Sequence, residues 1–304
     1  TVKFESNGGT EVESQRVLYG ETIIRPEDPV REGYRLECWC KDIDLQEPWD
    51  FEKDTVQGNM TLYAKWVPNA NEIVSVMSFN IKNSNNNRNL VVQTIKDSNP
   101  DVFGVQEADS LRWWSKLTSE FSGEYTSFGD TRDNSVNSER SAIFYRTDMF
   151  QFIDGATMWL SENPTQKGSK YSFTENGKTY SSNYARIMTY VILERTDGAR
   201  FIYVNTHLDN IVRDDDPDGK LGIGNKIRQG QVAILMDLIK DIQNEYGNLP
   251  VIITGDFNTT PGTDPYNAML AGGYLDSSKV AKEAESGRTY NDNKDTGSII
   301  FDYI

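Results

Sequence analysis

Residues 249–265 read LPVIITGDFNTTPGTDP, a buried strand followed at once by polar side chains. The apolar run at 251–253 has the length of a strand, and Gly255 closes it. Asp256 and Asn258 come next on alternate positions, so their side chains point to the same side. A carboxylate beside a carboxamide suits a cation and a phosphoryl oxygen. For this motif alone, a turn that merely ends a strand is the alternative.

Three other apolar runs end in polar side chains of the same kind. They are residues 201–204 before His207, residues 102–105 before Glu107, and residues 74–79 before Asn80. His207 is the only histidine of the chain, and in isolation it would indicate a structural residue. Because strand ends of this kind gather at one edge of a sheet, four of them together predict a site on that rim.

Seven motifs follow one another along residues 73–304. They are SFNIK around Asn80, GVQEA around Glu107, ERSAIFYR from Glu139, ARIMTYVILE from Ala185, VNTHLDN around His207, GDFNTTP around Asp256 and FDYI around Asp302. In this order and spacing they resemble the endonuclease/exonuclease/phosphatase superfamily, which has the deoxyribonuclease I-like fold. The resemblance implies an α+β protein, a four-layer α/β/β/α sandwich of two mixed sheets with helices on both outer faces.

The same resemblance implies a metal site at the rim. Glu107 is expected to be the main ligand of Mg²⁺, or of Mn²⁺ in its place, because a hard carboxylate oxygen suits an ion that keeps most of its water. Asn80 is expected to support the metal or a phosphate oxygen. Asp256 is expected to orient the attacking water or to help hold a cation.

Further catalytic roles are implied around the histidine. His207 is expected to donate to the phosphate as an imidazolium, with Glu139 hydrogen-bonded to it to fix its tautomer. Asn258 is expected to hold both the phosphate and Asp256. Arg186 corresponds to a phosphate-binding arginine of the family, and its guanidinium suits two oxygens. For Glu139 and Arg186, a salt bridge on a surface strand is the alternative.

Two aspartates complete the predicted site. Asp209, two residues after His207, is expected to face the cleft and to contact the substrate. Asp302 corresponds to the family acid that orients a second histidine, which lies in a Ser-Asp-His motif on a further strand. The printed sequence ends at Ile304 without that motif. We therefore expect an incomplete copy of a longer chain, impaired in activity, with natural loss of the catalytic base as the alternative.

Residues 1–67 have a different character. They are rich in strand and turn signals, from SNGGT at 6–10 to the alternating run MTLYAKW at 60–66. They resemble the internalin-type Listeria/Bacteroides repeat of bacterial surface proteins, which implies a small β-grasp-like domain and an exported protein, extracellular or on the cell surface. Residues 68–72 (PNANE) are expected to be a linker, followed by the second domain at 73–304.

Composition limits the choice of partner. The net charge of −15 repels phosphate backbones, so tight non-specific binding of nucleic acid is not expected, although a metal and an arginine can reverse the sign locally. No apolar stretch has the length of a membrane span. Residues 161–184 are polar and predict a long surface loop near the rim.

The sequence therefore predicts a metal-dependent hydrolase of phosphate esters, a phosphodiesterase, nuclease or phosphatase. Its substrate could be a nucleic acid, a phospholipid or a small phosphate, and the residues do not choose among the three. The rival hypothesis is a catalytically silent binding module of the same fold, displayed by a surface repeat.

Overall fold

The structure is a computed structural model that describes residues 1–31, 33–68, 73–210, 222–282 and 302–304. The chain forms two compact units, Thr1–Ile73 and Val74–Ile304. The predicted linker at 68–72 lies outside the described residues apart from Pro68, where a strand ends.

The smaller unit is built on a sheet of β1 (Val2–Glu5), β2 (Tyr34–Cys40) and β3 (Met60–Pro68). Strand β3 lies in the middle, parallel to β1 and antiparallel to β2. Alternation along β3 turns Leu62 and Ala64 to the same face, where they pack with Trp39 of β2. This unit therefore has its own hydrophobic core.

The larger unit contains two main sheets. In chain order their strands are β4 (Val76–Asn80), β5 (Val102–Asp109), β6 (Tyr125–Phe128), β7 (Glu139–Arg146), β8 (Phe150–Trp159), β11 (Ile187–Arg195), β12 (Arg200–His207), β13 (Val251–Asp256) and β14 (Asp302–Tyr303), with β9 (Ser172–Glu175) and β10 (Lys178–Ser181) in a separate hairpin. The first sheet has the order β4-β5-β7-β6, and the second has the order β14-β13-β12-β11-β8. The hairpin corrects the prediction of a plain loop at 161–184, because Phe173 and Tyr180 stack across it.

Helices connect and cover the sheets. They are α1 (Arg88–Ser98), a π-helical turn (Ser110–Trp114), α2 (Ser115–Glu120), α3 (Ile223–Tyr246), α4 (Asp264–Ala271) and α5 (Ser277–Val280). Helical spacing of apolar residues accounts for α1 and α3, whose buried faces include Val91, Val92 and Ile95 in α1 and Leu235 and Ile239 in α3. Helix α1 ends at Asn99, which adopts the left-handed conformation before Pro100. None of the helices in the described ranges combines the length and apolar character needed to cross a membrane.

Three successive hydrophobic cores define four layers. Ile95 of α1 and Leu117 of α2 pack on Phe103 of the first sheet. Ile143 of the first sheet packs against Val191 of the second sheet. On the outer face of the second sheet, buried residues of α3, among them Leu235 and Ile239, pack on Val204 and Ile253. The predicted four-layer α/β/β/α sandwich is confirmed.

A buried polar network ties the two sheets together beneath the site. Asn205 of β12 accepts from Gln106 Nε2 at 2.7 Å, and its amide donates to the carbonyls of Val105 and Ala142. A side chain at Gly104 would clash with Asn205, since an added Cβ would lie 2.5 Å from its Cγ. The network sets the position of β12, which carries His207, relative to β5, which carries Glu107.

Candidate active site

The two sheets bring four polar strand ends to one rim. Strands β4 and β5 are parallel, and so are β12 and β13, so each pair of carboxyl ends faces the same edge. His207 lies directly beside Asp256 in the register of β12 and β13. Asn80 and Glu107 belong to the first sheet. At the rim they meet His207 and Asp256 of the second sheet.

One amide group joins the two sheets at this rim. Asn80 Nδ2 donates to Glu107 Oε1 at 3.0 Å and to Asp256 Oδ2 at 2.9 Å. Asn80 Oδ1 accepts from the backbone N–H of Lys82 at 2.9 Å, which holds the amide in place. The structure therefore brings a carboxylate from each sheet to the same nitrogen atom.

The backbone at Glu107 is strained. Its φ of +64° lies in the left-handed region, which a glutamate adopts rarely. The register of β5 and β7 shifts between Val105 and Ala108, so Glu107 lies in a bulge. Such a conformation costs on the order of 1–3 kcal/mol and is concentrated at functional sites, where bulges redirect side chains. Here the bulge turns Glu107 toward Asn80 and Asn83.

The donor set at Glu107 fits a hydrated divalent cation. Within the described ranges, no group of three or more His, Cys, Asp or Glu side chains could hold an ion. Glu107 instead offers a carboxylate, a hard donor suited to Mg²⁺, which keeps several of its waters, and Asn80 orients this carboxylate with its amide nitrogen. The site therefore suits an ion that takes few ligands from the protein.

His207 lies between Asp256 and Asn258. Its Nε2 is 3.6 Å from Asp256 Oδ2 and 3.1 Å from Asn258 Nδ2. An amide nitrogen donates, so this geometry suits the tautomer with the proton on Nδ1. Asn258 also donates its backbone N–H to Asp256 Oδ1 at 2.8 Å, and a φ of +47° is tolerated by asparagine.

The surroundings of His207 favour its neutral form in the free protein. Burial, together with the charges of Arg186 and Arg132, holds the pKa of His207 well below its ordinary value. The imidazolium expected to donate to a bound phosphate stays a prediction. Burial also raises the pKa of Asp256, although hydrogen bonds from Asn80 and Asn258 oppose the rise.

Glu139 does not have the partner that was expected. It accepts from Asn83 Nδ2 at 2.6 Å and from Arg132 Nη1, whereas no hydrogen bond joins it to His207 within the described residues. A guanidinium is a stronger partner for a buried carboxylate than a neutral imidazole is. Burial raises the pKa of Glu139, with Arg132 acting in the opposite direction.

Arg186 and Asp209 form a buried ion pair. The distance from Arg186 Nε to Asp209 Oδ1 is 3.7 Å, and the exposed fractions of their side chains are 4% and 0%. Asp209 also accepts from the backbone N–H of Asn183 at 3.1 Å. The Asp209 carboxylate is buried next to Arg186 and supports it, and its contact with the substrate stays a prediction.

Two residues of the site were not predicted from the sequence. Asn83 joins Glu107 to Glu139, since its backbone N–H donates to Glu107 Oε2 at 2.9 Å and its amide donates to Glu139. Arg132 pairs with Glu139 and stacks over Tyr184. Both lie in polar loops, where no periodic pattern marks a position. In the sequence Arg132 lies seven residues before Glu139. The two residues become neighbours only because the loop between them folds back, with the backbone N–H of Arg132 donating to the carbonyl of Glu139.

Several of these side chains share one small cavity. It is lined by Glu107, Arg132, Glu139, Arg186 and His207, among others. The remaining predicted residue, Asp302, pairs through its backbone with Asp256. Its side chain lies outside the described residues, so its role stays a prediction.

Comparison with known proteins assigns a family to each part of the chain. A model of the Listeria-Bacteroides repeat domain matches residues 1–65. A model of the Endonuclease/Exonuclease/phosphatase family matches residues 77–304. Both agree with the resemblances seen in the sequence.

Individual relatives support the same division. Over 66 residues, 22% of this chain, it is 52% identical to a protein of Evansella cellulosilytica named as a Gly-rich membrane protein. The curated relatives are much longer, since the chain spans only 8% to 38% of their lengths.

Two solved structures from Bacteroides thetaiotaomicron resemble the larger part of the chain. One is an endonuclease/exonuclease/phosphatase family protein with a TM-score of 0.62 and 26% identity, covering 76% of this chain and 79% of that one. The other is a mannosyl-6-phosphatase with a TM-score of 0.61 and 25% identity, covering 76% of this chain and 84% of that one.

Proposed function

The chain belongs to the endonuclease/exonuclease/phosphatase family, and we propose that its larger unit hydrolyses a phosphate ester at the rim of the two sheets. The observation that carries the proposal is the position of Asn80 Nδ2, within 3.0 Å of Glu107 and 2.9 Å of Asp256. Glu107, the carboxylate that would bind a cation, and Asp256, the buried carboxylate that would bind a water molecule, thus lie on either side of the Asn80 amide. Phosphoryl transfer requires these two functions close together.

In this proposal Glu107, supported by Asn80, would hold Mg²⁺ or Mn²⁺. When bound, the ion would offset the negative charge that develops on the phosphate oxygens. Asn83 and Asn80 already orient the Glu107 carboxylate through both of its oxygens. Orientation of a ligand by its neighbours is typical of metal sites.

Asp256 would orient and deprotonate the attacking water. Its raised pKa, caused by burial, moves the carboxylate toward the range in which a general base is effective at neutral pH. Asn258 would hold this carboxylate through its backbone N–H and the histidine through its amide. For Asp302 the family resemblance implies orientation of a second histidine, and this role stays a prediction.

His207 and Arg186 would bind the phosphate. His207 is neutral in the free protein, but a bound phosphate brings negative charge, which raises the pKa of a neighbouring imidazole and favours its protonation. Arg186 is fixed by Asp209 and would offer its guanidinium to two oxygens. Glu139 would stabilise the same region through Arg132 rather than through His207.

We favour a small phosphate as the substrate over a nucleic acid. The net charge of −15 opposes a polyanion. The resemblance to a protein named mannosyl-6-phosphatase also favours a phosphorylated sugar. The repeat unit and its similarity to a protein named as a membrane protein favour a location at the bacterial cell surface.

The test is a substrate panel for the purified chain with and without Mg²⁺. We expect release of phosphate from sugar phosphates, slower turnover of DNA, RNA and sphingomyelin, and loss of activity in Glu107→Gln. A protein that binds phosphate yet turns over nothing with Mg²⁺ or Mn²⁺ would favour the silent binding module.

A further inference from the structure

We propose that Arg132 selects phosphate monoesters over diesters by binding the terminal oxygen that only a monoester has free, beside an oxygen that Arg186 binds in both kinds of ester. The proposal rests on the proposed function, because it concerns the substrate of the same site. It names a specificity-determining residue in the loop at 129–138, between β6 and β7.

The two guanidinium groups share one aromatic ring. Arg132 lies over Tyr184 at 4.5 Å from the ring centroid, and Arg186 lies 5.4 Å from the same centroid. Both arginines also line the cavity that contains His207 and Glu107. Stacking on a ring fixes a guanidinium plane without using its N–H groups. In Arg132, Nη1 donates to Glu139.

Each arginine has a donor that lacks an acceptor. The Nε atoms of Arg132 and Arg186 are buried without a hydrogen-bond partner in the described part of the chain. Each Nε is 3.7 Å from a carboxylate oxygen, that of Asp133 and Asp209 respectively, which is too far for a hydrogen bond. A buried unsatisfied donor is unfavourable, so a bound anion that accepts from either Nε would satisfy that donor.

The charges around the cavity favour a doubly charged ligand. Arg132 and Arg186 are close enough that each contributes to lowering the pKa of His207. Glu139 partly balances Arg132, but it also accepts from Asn83 at 2.6 Å and so keeps a partner when Arg132 turns toward a ligand. A dianion brings more attraction to this group of cations than a monoanion does.

Phosphate monoesters and diesters differ in charge and in the number of terminal oxygens that the two arginines can bind. A monoester carries about −1.5 to −2 charges at pH 7 and presents three terminal oxygens. A diester carries one charge, and a second alcohol occupies one of those oxygens. Arg186 and a metal ion would use the two oxygens that both esters share, whereas Arg132 would use the third.

The experiment compares 4-nitrophenyl phosphate with 4-nitrophenyl methyl phosphate, which have the same leaving group. For Arg132→Met, kcat/KM for the monoester should fall about 10- to 100-fold, the scale of a lost charged hydrogen bond. For the diester, kcat/KM should change by less than about threefold, because the oxygen that Arg132 would bind is esterified there. Arg132→Lys keeps the charge next to Glu139 but not the fork, so it should retain an intermediate preference.

Lys167→Met is the matched control. Lys167 pairs at 2.8 Å with Asp130, which lies in the same loop as Arg132, so its loss removes a cation next to this loop without removing a cavity residue. It should leave the ratio of monoester to diester turnover unchanged. Circular dichroism of every variant checks that each is folded.

A binding measurement separates this inference from the proposed function. Inorganic phosphate should bind to the metal-free wild type and at least about tenfold more weakly to Arg132→Met in isothermal titration. The role of Arg132 would be overturned if Arg132→Met lost kcat/KM equally for both esters, which leaves their ratio unchanged. Equal phosphate binding by wild type and Arg132→Met would also overturn it. A wild type that binds phosphate in this way but hydrolyses neither ester would contradict only the proposed function.

Discussion

Asn83 donates its side-chain amide to the Glu139 carboxylate across 2.6 Å, although 56 positions separate the two residues in the sequence. Its backbone N–H donates to Glu107, and its carbonyl accepts from Trp113 Nε1 at 3.1 Å. One loop residue therefore connects the expected metal ligand to the carboxylate beside Arg132. The buried indole holds that loop residue in position.

The first prediction concerns Asn83 as a positioning residue. Asn83→Ala keeps the backbone N–H that donates to Glu107 but removes the amide that anchors the loop on Glu139. A loop without that anchor should lower the affinity for Mn²⁺ roughly tenfold, the lower end of the effects of residues that orient a metal ligand. Titration of Mn²⁺ by electron paramagnetic resonance measures it. Asn86→Ala, an exposed substitution in the same loop, is the control. Equal Mn²⁺ affinity in wild type and Asn83→Ala would show that the bond from the Asn83 amide to Glu139 is not needed to position Glu107.

Glu107 itself gives the second prediction. Isothermal titration should show weak binding of Mg²⁺ by the wild type, since most ligands would be water, and a large loss of binding in Glu107→Gln. Glu124→Gln removes the same charge from an exposed position and should bind as the wild type does. If Glu107→Gln and the wild type bind Mg²⁺ equally, Glu107 is not the ligand.

The third prediction concerns the single histidine. Burial, Arg186 and Arg132 lower the pKa of His207 in the folded chain, so between that lowered pKa and about 6.5 the unfolded chain binds a proton that the folded chain does not. The contribution of His207 to the free energy of unfolding is therefore present at pH 7 and decreases as the pH falls below about 6.5, by at most about 1.4 kcal/mol per pH unit.

Because the chain has one histidine, one imidazole signal in the NMR spectrum reports this directly. In the folded, metal-free protein it should begin to titrate only well below pH 6.5, and phosphate should move the titration to higher pH. Urea unfolding of His207→Gln should lose the corresponding part of the pH dependence. An imidazole that titrates near pH 6.5 in the folded chain would contradict the prediction.

The fourth prediction tests the contact between the sheets. Gly104→Ala places a Cβ 2.5 Å from Asn205 Cγ and 2.7 Å from Thr254 Oγ1, both buried. Overpacking of this kind should lower the free energy of unfolding by about 1–3 kcal/mol, measured in urea. The control is Ala142→Gly, which removes a methyl group from the neighbouring strand β7 and causes no clash. Its effect on the free energy of unfolding measures loss of packing alone, without overpacking. An unchanged unfolding midpoint for Gly104→Ala would show that the sheets can move apart.

Local patterns were enough to predict much of the fold. The strand at 251–256 and the helix at 223–246 follow from an apolar run with a glycine stop and from helical spacing of apolar residues. The hairpin at 172–181 was missed, since its polar residues lack an alternating apolar face. It is stabilised by one aromatic pair and not by burial of a whole face.

Within the site, the sequence identified the residues that end strands, because such residues are marked by the apolar runs before them. Asn80, Glu107, His207 and Asp256 are of this type, and the structure brings them to one rim. Which acceptor each donor uses is a matter of distance between loops and strands far apart in the chain. Only the tertiary structure could therefore turn Glu139 to Arg132, bury Asp209 behind Arg186, and bring Asn83 into the site. Hydrogen bonds and ion pairs act over a few ångströms, so partners of this kind leave no periodic signal in a sequence.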